Sequence, residues 1–141
     1  MVETRSNVTG AYKGLIYCSS LDEVNNILSE IQPILQKFLN YKFNRQYDYV
    51  VASGAFNLKV KNQTQYIQSC IEKLFSVAKK GVAFNLLSER TLTKNQDKLF
   101  WYYSPSEILN LAFVYTPYVG LNHHYLPNDF TVFMFKSEKY S

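Results

Sequence analysis

Four groups of residues in this 141-residue sequence have side chains suited to chemistry. Ser53-Gly54-Ala55-Phe56-Asn57 follows a Val- and Tyr-rich run. In that setting Gly54 permits a tight turn beside a ligand, Phe56 can cover a flat group, and Asn57 can hydrogen-bond a substrate. The bland alternative is that Ser-Gly simply ends a strand and Phe56 is core. Asn85 is an amide inside an apolar run, with Ser88 and Glu89 after it. A buried amide needs partners, so it either ties neighbouring loops together or faces a cleft. Tyr102 and Tyr103 are adjacent, and the expected arrangement is one in the core and one exposed, with a pocket-lining role as the alternative. His123 and His124 are the two histidines. Neighbours on a strand point to opposite faces, so the pair does not suit one metal ion, and no Cys or acidic cluster adjoins them. His124 can line a substrate site, and either ring can serve as a base. No metal site and no Ser/His/Asp grouping is expected.

The elements that must position these residues follow from apolar spacing. Residues 1–11 read as a flexible lead-in, and Leu15-Ile16-Tyr17-Cys18 as a short buried strand. Ser20 and Glu23 have capping-box spacing, and Val24, Ile27, Leu28, Ile31, Leu35 and Phe38 continue a helix over 21–39. Pro33 should kink or split it near Ile31. A strand is expected over 47–54, then a helix over 65–79 closed by Lys79, Lys80 and Gly81. A second strand covers 82–87, and a polar loop covers 88–98. Ser104-Pro105-Ser106-Glu107 is a helix start with Ser as N-cap and Pro at the first helical position. Strands at 118–125 and 130–135, joined by Leu126-Pro127-Asn128-Asp129, form an antiparallel hairpin. Alternating strands and helices argue one α/β domain over 1–141 with a mainly parallel sheet, which the hairpin makes mixed.

Composition narrows the functions. No apolar run approaches the roughly 20 residues of a membrane span. The polar start with Glu3 does not read as a secretory signal, and Cys18 and Cys70 lack CxxC spacing, so a reducing cytoplasm is the expected compartment. The net charge of +4, from fifteen basic and eleven acidic residues, is spread in small groups. It reads as a solvated surface rather than a nucleic-acid stripe.

Several segments, in order, resemble the C-terminal half of class I S-adenosylmethionine-dependent methyltransferases. They are YDYVVASGAFNL (47–58), KKGVAFNLLSE (79–89), FWYYSPSEILNLA (100–112) and HHYLPNDFTVFMFK (123–136). The first resembles that family's fourth strand and its turn, the second the fifth strand, and the last two the closing helix and the reversed seventh strand. The resemblance implies a Rossmann-like mixed sheet, incomplete at its N-terminal side. It also implies S-adenosylmethionine as cofactor, if any is bound, beside Ser53, Gly54, Ala55 and Phe56. Asn57, Asn85, Tyr102 and His124 are then the substrate-side candidates.

Departures from the family matter equally. Its glycine-rich turn of the GxGxG kind is missing: Gly10, Gly14, Gly54, Gly81 and Gly120 are all isolated. Tyr17 or Cys18 stands near the place of the acid that holds the ribose, and Asn40 to Asn44 offers no acid toward the adenine. Three explanations stay open: a truncated or split frame, a degenerate domain, or a first strand that occupies the vacated central slot. The implied function is a methyltransferase-like domain acting on a small molecule or metabolite and inactive alone. The rival is a non-catalytic module that pairs with itself or with a complete methyltransferase. No catalytic base is needed for the first reading, because a sulfonium is already a good leaving group and alignment supplies much of the effect.

Overall fold

A computed structural model describes residues 26, 29–30, 33–34, 37, 39–92 and 96–138. The lead-in, the 15–18 strand, the Ser20–Glu23 capping box and the kink near Ile31 fall outside them. Described residues between 26 and 40 are helical, Pro33 and Ile34 included. Lys73 Nζ donates to the carbonyls of Leu39, at 3.0 Å, and Tyr41 where this helical stretch ends. A cation there meets the negative end of the peptide dipoles.

The described elements are β1 (Tyr47–Ala52), α1 (Gln63–Val77), β2 (Ala78–Leu87), α2 (Pro105–Phe113), β3 (Val119–Leu126) and β4 (Asp129–Phe135). They build a four-stranded sheet of order β1-β2-β4-β3. β1 runs parallel to β2, and β4 is antiparallel to both β2 and β3. The sheet is therefore mixed, and the C-terminal hairpin sits where the apolar runs put it.

Period-two alternation sorts the sheet into two faces. Val82, Phe84 and Leu86 of β2 and Phe130, Val132 and Met134 of β4 are buried on one face. Ile67, Cys70, Ile71 and Leu74 of α1 pack there at helical spacing, as do Ile108 and Ala112 of α2. Both helices cover this face, which fixes the core. The opposite face carries Ala83, Asn85 and Leu87 of β2 with Thr131 and Phe133 of β4.

The end of α1 differs from the sequence expectation. The helix stops at Val77 and β2 begins at Ala78 with no intervening loop. Lys79, Lys80 and Gly81 are strand residues, not a helix stop. Lys80 instead forms an ion pair with Asp48 across the parallel β1–β2 pair, 3.1 Å apart. Gly81 has a packing reason: a Cβ there would lie 2.9 Å from the carbonyl oxygen of Met134 and 3.0 Å from Cδ1 of Phe135. At the start of α2, Ser104 is the N-cap with Pro105 in the first turn, as expected. Its hydroxyl bonds Ser106 Oγ at 3.0 Å rather than capping the helix.

Candidate functional site

Ligands in open α/β sheets sit beyond the carboxyl ends of the parallel strands. Here that end gathers the turn after β1, the end of β2, and the hairpin. Gly54 has φ 64°, the left-handed region that glycine occupies without strain. Its N–H donates to Asn85 Oδ1 at 2.7 Å. Asn85 Nδ2 donates in turn to the Asp129 carboxylate, 2.9 Å to Oδ2 and 3.1 Å to Oδ1. Tyr125 OH donates to Asp129 Oδ1 and lies 2.8 Å from Thr131 Oγ1. A single hydrogen-bonded chain thus runs from the β1 turn across β2 to the hairpin.

The hairpin reaches this position through a bulge. Asn122 pairs with Thr131 and Leu126 with Asp129, so His123, His124 and Tyr125 stand opposite Phe130 alone. Extra residues in one strand twist it and re-aim side chains. His123 stacks on Phe130 with ring centroids 5.9 Å apart, and its Nε2 is 2.7 Å from the hydroxyl of fully buried Ser88. His124 is exposed, and its Nδ1 lies 2.6 Å from Asn122 Oδ1. The two rings have separate partners and separate exposure within the bulge. Among the described residues no group of three or more His, Cys, Asp or Glu could hold a metal ion.

The other candidates divide by burial. Ser53, Gly54 and Ala55 are exposed. Phe56 is buried and sits edge-on to Tyr66, centroids 6.4 Å apart. Asn57 is also buried: its Oδ1 accepts the Leu87 N–H at 3.0 Å, and its carbonyl accepts the Trp101 N–H at 2.7 Å. Both side chains are thereby tied into the framework behind the turn. Tyr103 is the buried member of its pair. Its hydroxyl donates to the Phe56 carbonyl at 2.7 Å and accepts from Gln63 Nε2. Tyr102 is half-buried, and its hydroxyl accepts the Asp97 N–H at 2.8 Å. Burial pushes the Tyr103 hydroxyl and the Cys70 thiol up, the latter to about 12.

Of the predicted site residues, the structure joins Gly54 to Asn85 directly and leaves Tyr102 and His124 with local partners. Asp129, Tyr125 and Thr131 were missed. Their only signal was the hairpin turn at 126–129, which says nothing about what the turn residues face.

No family model matches the sequence. The chain is 30% identical over 102 residues to a Mycobacterium tuberculosis (strain ATCC 25618 / H37Rv) protein named "Putative methyltransferase Rv1506c", covering 68% of this chain and 61% of that protein. Its fold is similar to that of magnesium protoporphyrin IX methyltransferase (ChlM) from Synechocystis PCC 6803, solved with bound SAH. There the TM-score is 0.50 at 13% identity, over 80% of this chain and 61% of the other. The chain thus spans about three fifths of the length of each. Together the two likenesses bear out the resemblance read from the sequence: the described residues carry a methyltransferase-like α/β fold.

Proposed function

From the premise that the chain carries this methyltransferase-like fold, we propose that it is the C-terminal half of an S-adenosylmethionine-dependent unit acting on a small molecule or metabolite. Alone it retains one wall of the cofactor seat and is inactive. The turn after β1 carries this reading. Gly54, left-handed and exposed, is pinned by Asn85 at the carboxyl end of the β1–β2 pair. Ser53, Gly54 and Ala55 form the retained wall, and Phe56, expected from the sequence to cover the cofactor, is instead a core side chain that backs it. Asn57, Asn85, Tyr102 and His124 belong to the substrate side, Asn57 by fixing the turn rather than by contact. The sequence has no glycine-rich turn to form the facing wall. The compartment assigned is the cytoplasm, consistent with a free, buried Cys70. No helix among the described residues is long and apolar enough to cross a membrane.

Amide chemical shifts followed during titration with S-adenosylhomocysteine test this, with calorimetry alongside. Shifts at Ser53 to Phe56 that build up only at millimolar ligand are expected. No shifts there at any concentration would remove the cofactor reading. Micromolar one-site binding would mean that the chain completes its own cofactor seat, and would overturn the one-wall reading.

A second reading has an observation of its own. Among the described residues β1 pairs with β2 alone, and Tyr47 and Val51 are 48% and 73% exposed. A strand edge with apolar side chains is a template for another chain. The rival function is a subunit that pairs with itself or with a complete methyltransferase. A monomeric solution mass at high protein concentration would count against self-pairing.

A further inference from the structure

The loop after β1 and the segment before α2 build a basic platform around Trp101, the single tryptophan of the sequence. Leu58 and Phe100 form an antiparallel bridge. The Lys59 N–H donates to the Leu99 carbonyl at 3.1 Å, and the Trp101 N–H to the Asn57 carbonyl at 2.7 Å. Asn57 and Leu99 are buried beneath this ribbon. Asp97 closes the turn that leads into it: its Oδ1 accepts the Leu99 N–H at 2.8 Å, and its own N–H is held by the Tyr102 hydroxyl at 2.8 Å. The backbone around Trp101 is therefore fixed, while Lys59, Lys61, Lys98 and Trp101 themselves are exposed. Lys59 Nζ lies 5.9 Å from the centre of the Trp101 ring and 3.5 Å from the Lys98 carbonyl oxygen. Lys59 and Lys98 are 39 positions apart in sequence, so it is the pairing of the two loops that gathers them. Among the described residues the ion pair formed is Lys80–Asp48, and no carboxylate neutralises the three lysines. Asp97 is the acid of this turn, and its Oδ1 is engaged by the backbone.

An indole 39% exposed on a fixed backbone leaves a large flat apolar surface in water, and a flat ring laid on it would recover that surface. Ammonium groups beside the indole suit an anion attached to the same ring, and lysine serves phosphate as a point charge. A nucleic-acid strand uses successive aromatic platforms along a basic groove. One indole with three lysines matches instead one ring and one phosphate. We propose that Trp101, Lys59 and Lys98, with Lys61 at the margin, bind a phosphorylated small molecule that carries a flat ring, the ring on the indole and the phosphate on the ammonium groups. The proposal deepens the proposed function and rests on it for one point, that the bound molecule is the substrate. Trp101 is bonded to the backbone of Asn57, directly after the Ser53–Ala55 wall, which sets the platform beside the proposed cofactor seat. The methylated atom stays unassigned.

The test titrates three probes into the 141-residue chain and follows them by NMR: uridine 5′-monophosphate, uridine without the phosphate, and ribose 5-phosphate without the ring. A single tryptophan gives a single indole N–H resonance, so the reporter sits at the platform itself. The monophosphate should move that resonance and the Lys59 and Lys98 amides saturably, and added salt should weaken its binding. Uridine and ribose 5-phosphate should each bind at least about fivefold more weakly, because charge and stacking both contribute. Lys59→Gln and Lys98→Gln should each weaken the monophosphate and leave uridine unchanged. Trp101→Leu, read at the Lys59 and Lys98 amides, should abolish its advantage over ribose 5-phosphate. All three changes are at exposed positions, and a dispersed spectrum checks that each variant folds. Equal responses to the three probes, or shifts confined to Ser53–Ala55, overturn the proposal. A uridylate hexamer bound more than about tenfold tighter than the monophosphate would also overturn it, in favour of single-stranded nucleic acid. S-adenosylhomocysteine is titrated into a separate sample. Platform binding with no S-adenosylhomocysteine shifts at Ser53–Ala55 removes the cofactor reading and leaves the phosphate site. The reverse removes the phosphate site alone.

Discussion

Replacing Gly81 with alanine should destabilise the domain, while the same change at Gly120 should not. Gly81 lies in the middle of the sheet, paired with Tyr49 on one side and Phe135 on the other. The added methyl would sit 2.9 Å from the Met134 carbonyl oxygen and 3.0 Å from Phe135 Cδ1. The first of these atoms is backbone, held by the β2–β4 ladder, so relief requires the strands to part. Overpacking of this kind costs about 1–3 kcal/mol. Losing a glycine returns about 0.4–1 kcal/mol by restricting the unfolded chain. The net expectation is a loss of roughly 1–2 kcal/mol. At Gly120 the nearest atoms are Cβ and Cδ2 of Phe133, both 3.9 Å away, an ordinary contact. The unfolded-state term then stands alone, and Gly120→Ala should gain about 0.4–1 kcal/mol. Urea unfolding followed by circular dichroism measures both. At slopes of about 1–3 kcal/mol/M, the Gly81→Ala midpoint should fall by roughly 0.3–2 M. Equal midpoints for the two variants, or a Gly81→Ala midpoint at the parent value, would refute the close approach of β2 and β4 at this point.

Other outcomes follow from the same contacts. Tyr103→Phe deletes a buried hydroxyl that serves the Phe56 carbonyl and Gln63. It should cost about 1–3 kcal/mol in urea unfolding, and a neutral result would mean that the loop after β1 is not held from below. Gly54→Ala forces a side chain into a φ of 64° and should cost about 1–2 kcal/mol, while also moving the Asn85 side-chain amide resonances. Cys70, with its thiol pushed up to about 12 by burial, stays protonated at pH 8. Its peptide should resist iodoacetamide until the chain unfolds, and rapid native labelling seen by mass spectrometry would contradict its packing. Lys80→Ala should change stability by less than about 1 kcal/mol, since the Lys80–Asp48 pair is exposed to solvent.

Much of the framework was legible from apolar spacing, because β2, β4 and α1 each bury a face with a clear period, whereas β1, expected as a buried strand, has no fully buried side chain. The α1–β2 junction was not. Lys79-Lys80-Gly81 has the composition of a helix stop, yet here the lysines occupy the more exposed start of a strand and the glycine makes room for β4. The sequence cannot distinguish a glycine kept for its φ from one kept for its missing Cβ. At the candidate site, Gly54 and Asn85 were legible as a turn glycine and an amide out of place in an apolar run. That Asn85 serves the Gly54 turn depends on a partner 31 positions away. Asp129 and Tyr125 were not legible, because a bulge re-aims β3 and local sequence carries no count of the residues opposite. Ser104 marked the right helix start for an incomplete reason: its hydroxyl pairs with Ser106, and the fixed φ of Pro105 and the charge of Glu107 remain to favour the helix there.

The direct passage from α1 into β2 governs how this chain tolerates changes in length. With Val77 helical and Ala78 already in the sheet, no spare residue exists to absorb an insertion or deletion. One residue more or fewer would rotate α1 by about 100° if the strand held its place. If the helix held instead, every β2 side chain would exchange faces, placing Phe84 and Leu86 where Asn85 now stands. Either way the packing of α1 on the sheet would be lost, and in the second case the Asn85 link with it. The Val77–Ala78 peptide thus acts as a phase lock between helical and strand periodicity. Single-residue indels there should be far less tolerated than in the exposed hairpin turn at 127–128.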